Sequence, residues 1–525
     1  MFSKIVLTVL FLLTLFTRFY NLDWGKGLFF HPDENNMAFA ISGLSFSDLN
    51  PHFFAYGQFP LYLVFLSQSF VNLLTGHTSI SIDFNQAIIG LRIYSAIFSS
   101  LTILVFWFLS KSIFTKKLFQ YIFILFLIFS PGLIQLAHFG TTESLLILVF
   151  SLSLFYAIKI FQSKKVTNTQ ILFCSIFIGA GVASKIMAII FISPILISLS
   201  FIFLENKKNR LLILQKTFLL FLLIVIFSCL FSPFNLISFN EFYSTMKYET
   251  GVATGKIDVF YTRQFHQSIP YLFQINKIFP YALGLPMVIL SVGGIFLVKH
   301  KKINLIFILS FLIYFLYTGQ LFVKWFRFSS PVFPILIIFA VFFLQKIRNK
   351  FLLFILILIS VIPGFIFLKQ VYLKNDNRIT TNDWITNNIP AGSHILSESR
   401  NVISLPLTDQ YQTSDFDFYY LDSSPILQQK LTSEIFNADY ILIPSRRLYK
   451  NLFPNRYPVL SRYYENLFNG NLGFKKVFIF TSLDSFFLDS NNAEETFLVF
   501  DHPQIFIFKK DQQFNFEQYQ QILKL

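Results

Sequence analysis

Along the first 370 residues, long uncharged apolar runs alternate with short polar or basic interruptions. A helix crosses a hydrocarbon core about 30 Å thick with roughly 20 residues, and the runs reach that length. The pattern predicts eleven helical spans, at 4–22, 88–110, 118–136, 142–160, 170–184, 186–204, 211–232, 280–298, 303–320, 328–345 and 351–369. Near 371–376 the texture changes, and Asp, Asn, Gln, Ser and Tyr break up every later apolar run. That region reads as a small α/β domain, with helical or strand-like stretches at 381–388, 394–397, 440–444, 477–480 and 504–508. The expected fold class is an α-helical polytopic membrane module over 1–370 followed by a soluble α/β domain over 371–525.

Charge supplies the orientation. Lys and Arg gather at 111–117, 159–165, 207–210, 299–302 and 346–350, between the apolar runs. The excess of cations on cytoplasmic loops places these inside, the N-terminus with them, and residues 370–525 outside the cell membrane. One further apolar stretch, 59–74, would invert every later loop if it crossed, so it is expected to lie in or dip into the outer interface. The outer face then carries loops at 23–87, 137–141, 233–279 and 321–327.

Composition agrees: 54% hydrophobic residues, 13% charged residues and 73 phenylalanines exceed what a soluble domain uses. The net charge of +15 is the sum of the loop clusters, so membrane lipid, not nucleic acid, is the expected partner. Cys174 and Cys229 both sit in apolar runs, which leaves no disulfide framework and no Cys-based zinc site. No small-residue cleavage site follows the first apolar run, so it reads as a retained span.

Two adjacent carboxylates, Asp33 and Glu34, follow the first span in the stretch Phe30-His31-Pro32-Asp33-Glu34. Pro32 and Asp33 can simply open a helix, with Asp33 as its N-cap. Glu143 begins another helix after His138, with Thr141 or Thr142 as the expected cap. Cations at membrane depth are costlier to explain, because each needs a partner or a task. Arg92, Lys185, Lys324 and Arg327 stand at outer ends of spans and Arg263 lies in an outer loop, although each can also snorkel to headgroups. Carboxylates and cations on one face suit glycosyl transfer from a lipid-linked sugar phosphate. The phosphate leaves readily but needs Arg or Lys against its growing charge, and the acceptor hydroxyl needs a carboxylate to take its proton, for which Asp33 and Glu34 are both candidates.

With these residues the chain resembles the GT-C glycosyltransferases of the family-39 type, relatives of the protein O-mannosyltransferases and aminoarabinose transferases. The resemblance rests on His31-Pro32-Asp33-Glu34, Gly57-Gln58-Phe59-Pro60, Arg92-Ile93-Tyr94-Ser95, Lys185, Arg327-Phe328, the 384–392 stretch and Asp501-His502-Pro503. It implies Asp33 as catalytic base and Glu143 at a second acidic position where many relatives carry Asp. Gln58 stands where relatives often carry Lys. Arg92, Lys185, Arg263, Lys324 and Arg327 become candidates to hold phosphate or sugar, Arg327 first among them, and His31 and His138 to orient groups.

The implied reaction is an inverting displacement of a hexosyl or pentosyl group from a polyprenyl-phosphate donor to a protein, lipid or glycan hydroxyl. No obligatory cofactor or structural metal is expected, and a catalytic divalent cation stays open. Two rivals remain: a flippase for lipid-linked glycans, for which the sequence offers no internal repeat, and a glycan-binding scaffold using Tyr411, Tyr419 and Tyr420.

Overall fold

The computed structural model describes residues 2–76, 81–297, 301–398, 405–481, 483–485 and 488–525. Residues 299 and 300 of the basic loop at 299–302, and residue 298 of the span expected at 280–298, lie outside the described residues. The chain forms two compact units. The first comprises residues 1–23, 33–257 and 269–368, and the second 24–32, 258–268 and 369–525.

The first unit is helical. Among the described residues, seven helices are long and apolar enough to cross a membrane, and two bent pairs raise the number to nine by length and composition. The other two expected spans are the helices Phe2–Phe19 and Asn168–Val182, of 18 and 15 residues. The stretch at 59–74 forms the helix Gln58–Leu74.

The bends have local causes. Pro131 begins the second half of the pair Lys117–Ile128 and Pro131–His138, which is bent by 51°, since a proline cannot continue the hydrogen-bond ladder. Ending a helix strands carbonyls. Those of Leu127 and Ile128 accept from the buried Arg18 at 2.9 and 3.1 Å. The pair Leu272–Leu283 and Leu285–Leu297 bends by 116° at Gly284, whose φ of 87° suits glycine.

The second unit carries a five-stranded sheet ordered Gln412–Phe416, His394–Glu398, Tyr440–Ile443, Ile505–Lys510, Phe474–Phe480. The first three strands are parallel and the last two pairings antiparallel, with Ile395 opposite Tyr440 and Ile441 opposite Phe508. Side chains alternate across a strand, so Phe506 and Phe508 enter one core with Leu431, Leu460 and Tyr519. Ile505 and Ile507 enter the other with Ile385 of the helix Asn377–Asn388 and Ile389 just after it. Central strands buried on both faces read as unbroken apolar runs, which is what Tyr440–Ile443 is.

Candidate active site

The helix Pro32–Ser42 begins at Pro32, a favoured first position, so Asp33 sits inside the first turn instead of capping it. Consecutive helical residues point about 100° apart, and the two carboxylates diverge. Glu34 is fully buried and gripped by Arg92, whose Nε donates to both carboxylate oxygens at 3.2 Å and whose Nη2 donates at 2.7 Å. The Gly140 N–H adds a bond of 2.5 Å, and Arg92 Nη1 is spent on the Leu22 carbonyl at 2.8 Å. A Cβ at Gly140 would come within 2.7 Å of Leu91 Cβ, so glycine admits this approach.

Asp33 remains one-fifth exposed and pairs with Arg327. Arg327 also lies over the Trp325 ring, 4.8 Å from its centroid. The second acid–base pair is Glu143 with Lys185, at 3.4 Å. Glu143 opens the helix Glu143–Ser163 behind Thr142, whose side chain makes no capping bond. Lys185 Nζ faces the rings of Phe328 and Tyr56 at 4.8 and 5.3 Å. Burial lowers the Lys185 ammonium below its usual range, while Glu143 and Asp33 oppose the shift and Arg327 adds to it. Burial likewise holds the Tyr56 hydroxyl well above its usual range, with Asp33 as hydrogen-bond partner. Tyr56 joins the two ion pairs into one cluster, since its hydroxyl bonds Asp33 and its ring faces Lys185 Nζ.

Gln58 has a different setting from a phosphate-binding cation. It is buried, with its amide against Asn235 Oδ1 at 3.2 Å and its carbonyl accepting from the Phe234 N–H at 3.0 Å. Its backbone N–H donates to Ser232 Oγ, which donates to the Ala183 carbonyl, both at 2.8 Å. The Gly57 N–H donates to the Ser184 carbonyl at 2.9 Å. This network fixes the turn that presents Lys185.

Lys185 also lines a largely apolar cleft of about 440 Å³ whose walls include Ile186, Ile189, Phe242, Met246, Trp325 and Phe328. One acid, Glu249, joins that lining from the helix Phe239–Ala253. It carried no motif in the sequence. Only the spacing of Phe242, Met246, Glu249 and Ala253 on one helical face marks it.

The other candidates are spent elsewhere. Lys324 is buried with Nζ on the Phe322 carbonyl at 2.9 Å, and burial brings its pKa down to about 8. His138 sets its ring nitrogens against the carbonyls of Ile134 and Tyr20 at 2.8 and 2.9 Å. Arg263 and His31 belong to the second unit. Arg263 donates to the Tyr419 carbonyl at 2.7 Å and lies 3.9 Å over Tyr457, and His31 packs on Phe500. Among the described residues no group of three or more His, Cys, Asp or Glu is placed to hold a metal ion.

The helical architecture is that of a multi-span membrane protein with the GT-C glycosyltransferase fold, as a solved structure of that fold shows. The family model of dolichyl-phosphate-mannose-protein mannosyltransferases matches residues 72–236. The chain is similar to the crystal structure of ArnT from Cupriavidus metallidurans bound to undecaprenyl phosphate, with a TM-score of 0.50 and 12% identity over 96% of this chain and 98% of that one. It is also similar to the archaeal oligosaccharyltransferase AglB from Archaeoglobus fulgidus, solved with an inhibitory peptide and a dolichol-phosphate, with a TM-score of 0.47 and 12% identity over 93% and 74% of the two chains. No curated protein matches the sequence.

Proposed function

We propose that this protein transfers a hexosyl or pentosyl group from a polyprenyl-phosphate donor to an acceptor hydroxyl at the extracytoplasmic face of the cell membrane. The observation that carries the reading is the Asp33–Arg327 pair clustered with Glu143 and Lys185, the last of which lines an apolar cleft. Two further points support it: the matching family is described by a lipid-phosphate sugar donor, and the ArnT structure that shares the fold holds undecaprenyl phosphate.

In the reaction, the acceptor oxygen attacks the anomeric carbon as its proton passes to the Asp33 carboxylate. The bond from that carbon to the phosphate oxygen breaks, and the lipid phosphate leaves with the electron pair and a second negative charge. Protonation neutralises Asp33 and frees Arg327 at the moment the phosphate gains charge, so Arg327 moves from one anion to the other. Lys185 adds a second cation and the apolar walls hold the lipid chain. A single displacement inverts the anomeric centre. The protein's own cations take the phosphate, so no metal step enters the proposal.

The test is transfer of radiolabelled sugar from polyprenyl-phosphate donors to a membrane acceptor extract by purified protein. Asp33→Asn keeps the size and removes the base, and is expected to lower the rate about a hundredfold or more. An undiminished rate in that variant, or retained anomeric configuration in the product, overturns the mechanism.

A further inference from the structure

Glu249 is the acid in the cleft lining that the proposed reaction leaves without a task. Its carboxylate is partly buried and lines the cleft beside Lys185, yet no hydrogen bond or ion pair engages it among the described residues. Its surroundings include Asn235 and Thr250 as neutral polar groups and Trp325 and Phe328 as rings. An unengaged carboxylate in an apolar cleft is costly unless a ligand completes it. Burial accordingly raises its pKa, against the pull of Arg327 and Lys185.

The charges say which ligand group it meets. Asp33 with Arg327 and Glu143 with Lys185 balance in pairs, and Glu249 leaves the charged cluster beside the cleft one negative charge in excess. A carboxylate repels the donor phosphate but accepts two hydrogen bonds from hydroxyls, one at each oxygen. Vicinal hydroxyls of a sugar present that spacing, and their C–H faces suit the neighbouring rings. We infer that Glu249 is a positioning residue that receives hydroxyls of the transferred sugar, so that the cleft selects a polyhydroxylated sugar by a carboxylate that shares its lining with Lys185. This rests on the donor reading above.

The test separates sugar from phosphate. Dissociation constants are measured for polyprenyl phosphate and for polyprenyl-phosphate mannose, glucose and arabinose of the same chain length, with wild type, Glu249→Gln and Glu249→Ala. The wild type is expected to bind at least one glycosylated lipid more tightly than the bare phosphate. Glu249→Ala should lower that preference about tenfold or more, the size of a lost charged hydrogen bond, with Glu249→Gln in between. Bare polyprenyl phosphate should bind both variants at least as tightly as wild type, because a like charge has gone. A merely structural role would weaken both lipids together and overturns the inference, as does an unchanged preference. If wild type binds none of these lipids, the donor reading itself fails.

Discussion

At the scale of single residues, two neighbours in sequence take opposite environments. Glu34 turns inward to a fork of Arg92 and the Gly140 N–H, while Asp33 keeps an accessible edge and Arg327. Removing one partner of a buried pair strands a charge, which costs about 3–5 kcal/mol, whereas replacing both by apolar groups of similar volume is often near neutral. Arg92→Met should therefore lower the thermal unfolding temperature in detergent well below that of the Glu34→Met/Arg92→Met double variant. Equal losses would show that the pair is not what holds Glu34.

The adjacency of the two acids was plain in the sequence. Their divergence was not, because it depends on the helix starting at Pro32 and on which side then meets Arg92. Lys324 was legible only as a cation near a span end, yet burial gives it a titration close to neutrality. Its folded pKa of about 8 lies below the unfolded value of 10.5. Between those values the unfolded chain holds more protons, so stability rises with pH there and is flat below. Melting profiles across pH 7 to 11 should show this rise, and Lys324→Met should make it smaller, with the Lys185 contribution remaining.

At the scale of elements, the helix Gln58–Leu74 matters more for its entry than for its length. Gly57 meets the turn at 183–184, where an added Cβ would overlap the Ala183 carbonyl oxygen, and Ser232 and Gln58 tie in the start of the next segment. Gly57→Ala must push that turn, and Lys185 with it, out of place. The expected result is a transfer rate reduced tenfold or more with little loss of helix content, since misplacement by about an ångström can cost a hundredfold. Gly43→Ala, where an added Cβ meets only ordinary contacts at 3.7 Å, is the control and should transfer normally. A Gly57→Ala rate like the control's would dissociate the turn from the chemistry.

Apolar run lengths made the helices legible, because membrane crossing leaves a long one-dimensional signature. They could not show the bends at Pro131 and Gly284, which depend on carbonyls satisfied from afar by Arg18 and on a single positive φ. Nor could they show which acid between the spans reaches the cleft. Glu249 reaches it through the facing of one short amphipathic helix, and such facing is settled by packing.

At the scale of the whole molecule, composition marked where the chain turns from apolar to mixed, but compactness does not follow that linear division. The second unit recruits two short segments, 24–32 and 258–268, from far upstream of its main stretch. They pack against that stretch: Phe30 has its ring centroid 3.5 Å from the Arg378 guanidinium, Arg263 stacks on Tyr457, and Gln264 bonds Glu494 at 2.5 Å. Trp24, Phe30 and Phe265 are each almost wholly buried. Arg378 is itself buried, paired with Asp376, and has the Trp24 and Phe30 rings as its cover. A fragment of residues 369–525 would thus expose the Arg378 site and the ring platform that Arg263 occupies. Losing the burial of three large aromatic side chains, each worth about 1.5–3 kcal/mol, removes much of the stability of a domain this size. The isolated fragment should keep far-ultraviolet dichroism but lose the near-ultraviolet signal and bind hydrophobic dyes, while full-length protein does neither. A cooperative, dye-free fragment would mean that the sheet's two cores suffice alone and that the upstream segments are passengers on the unit instead of parts of it.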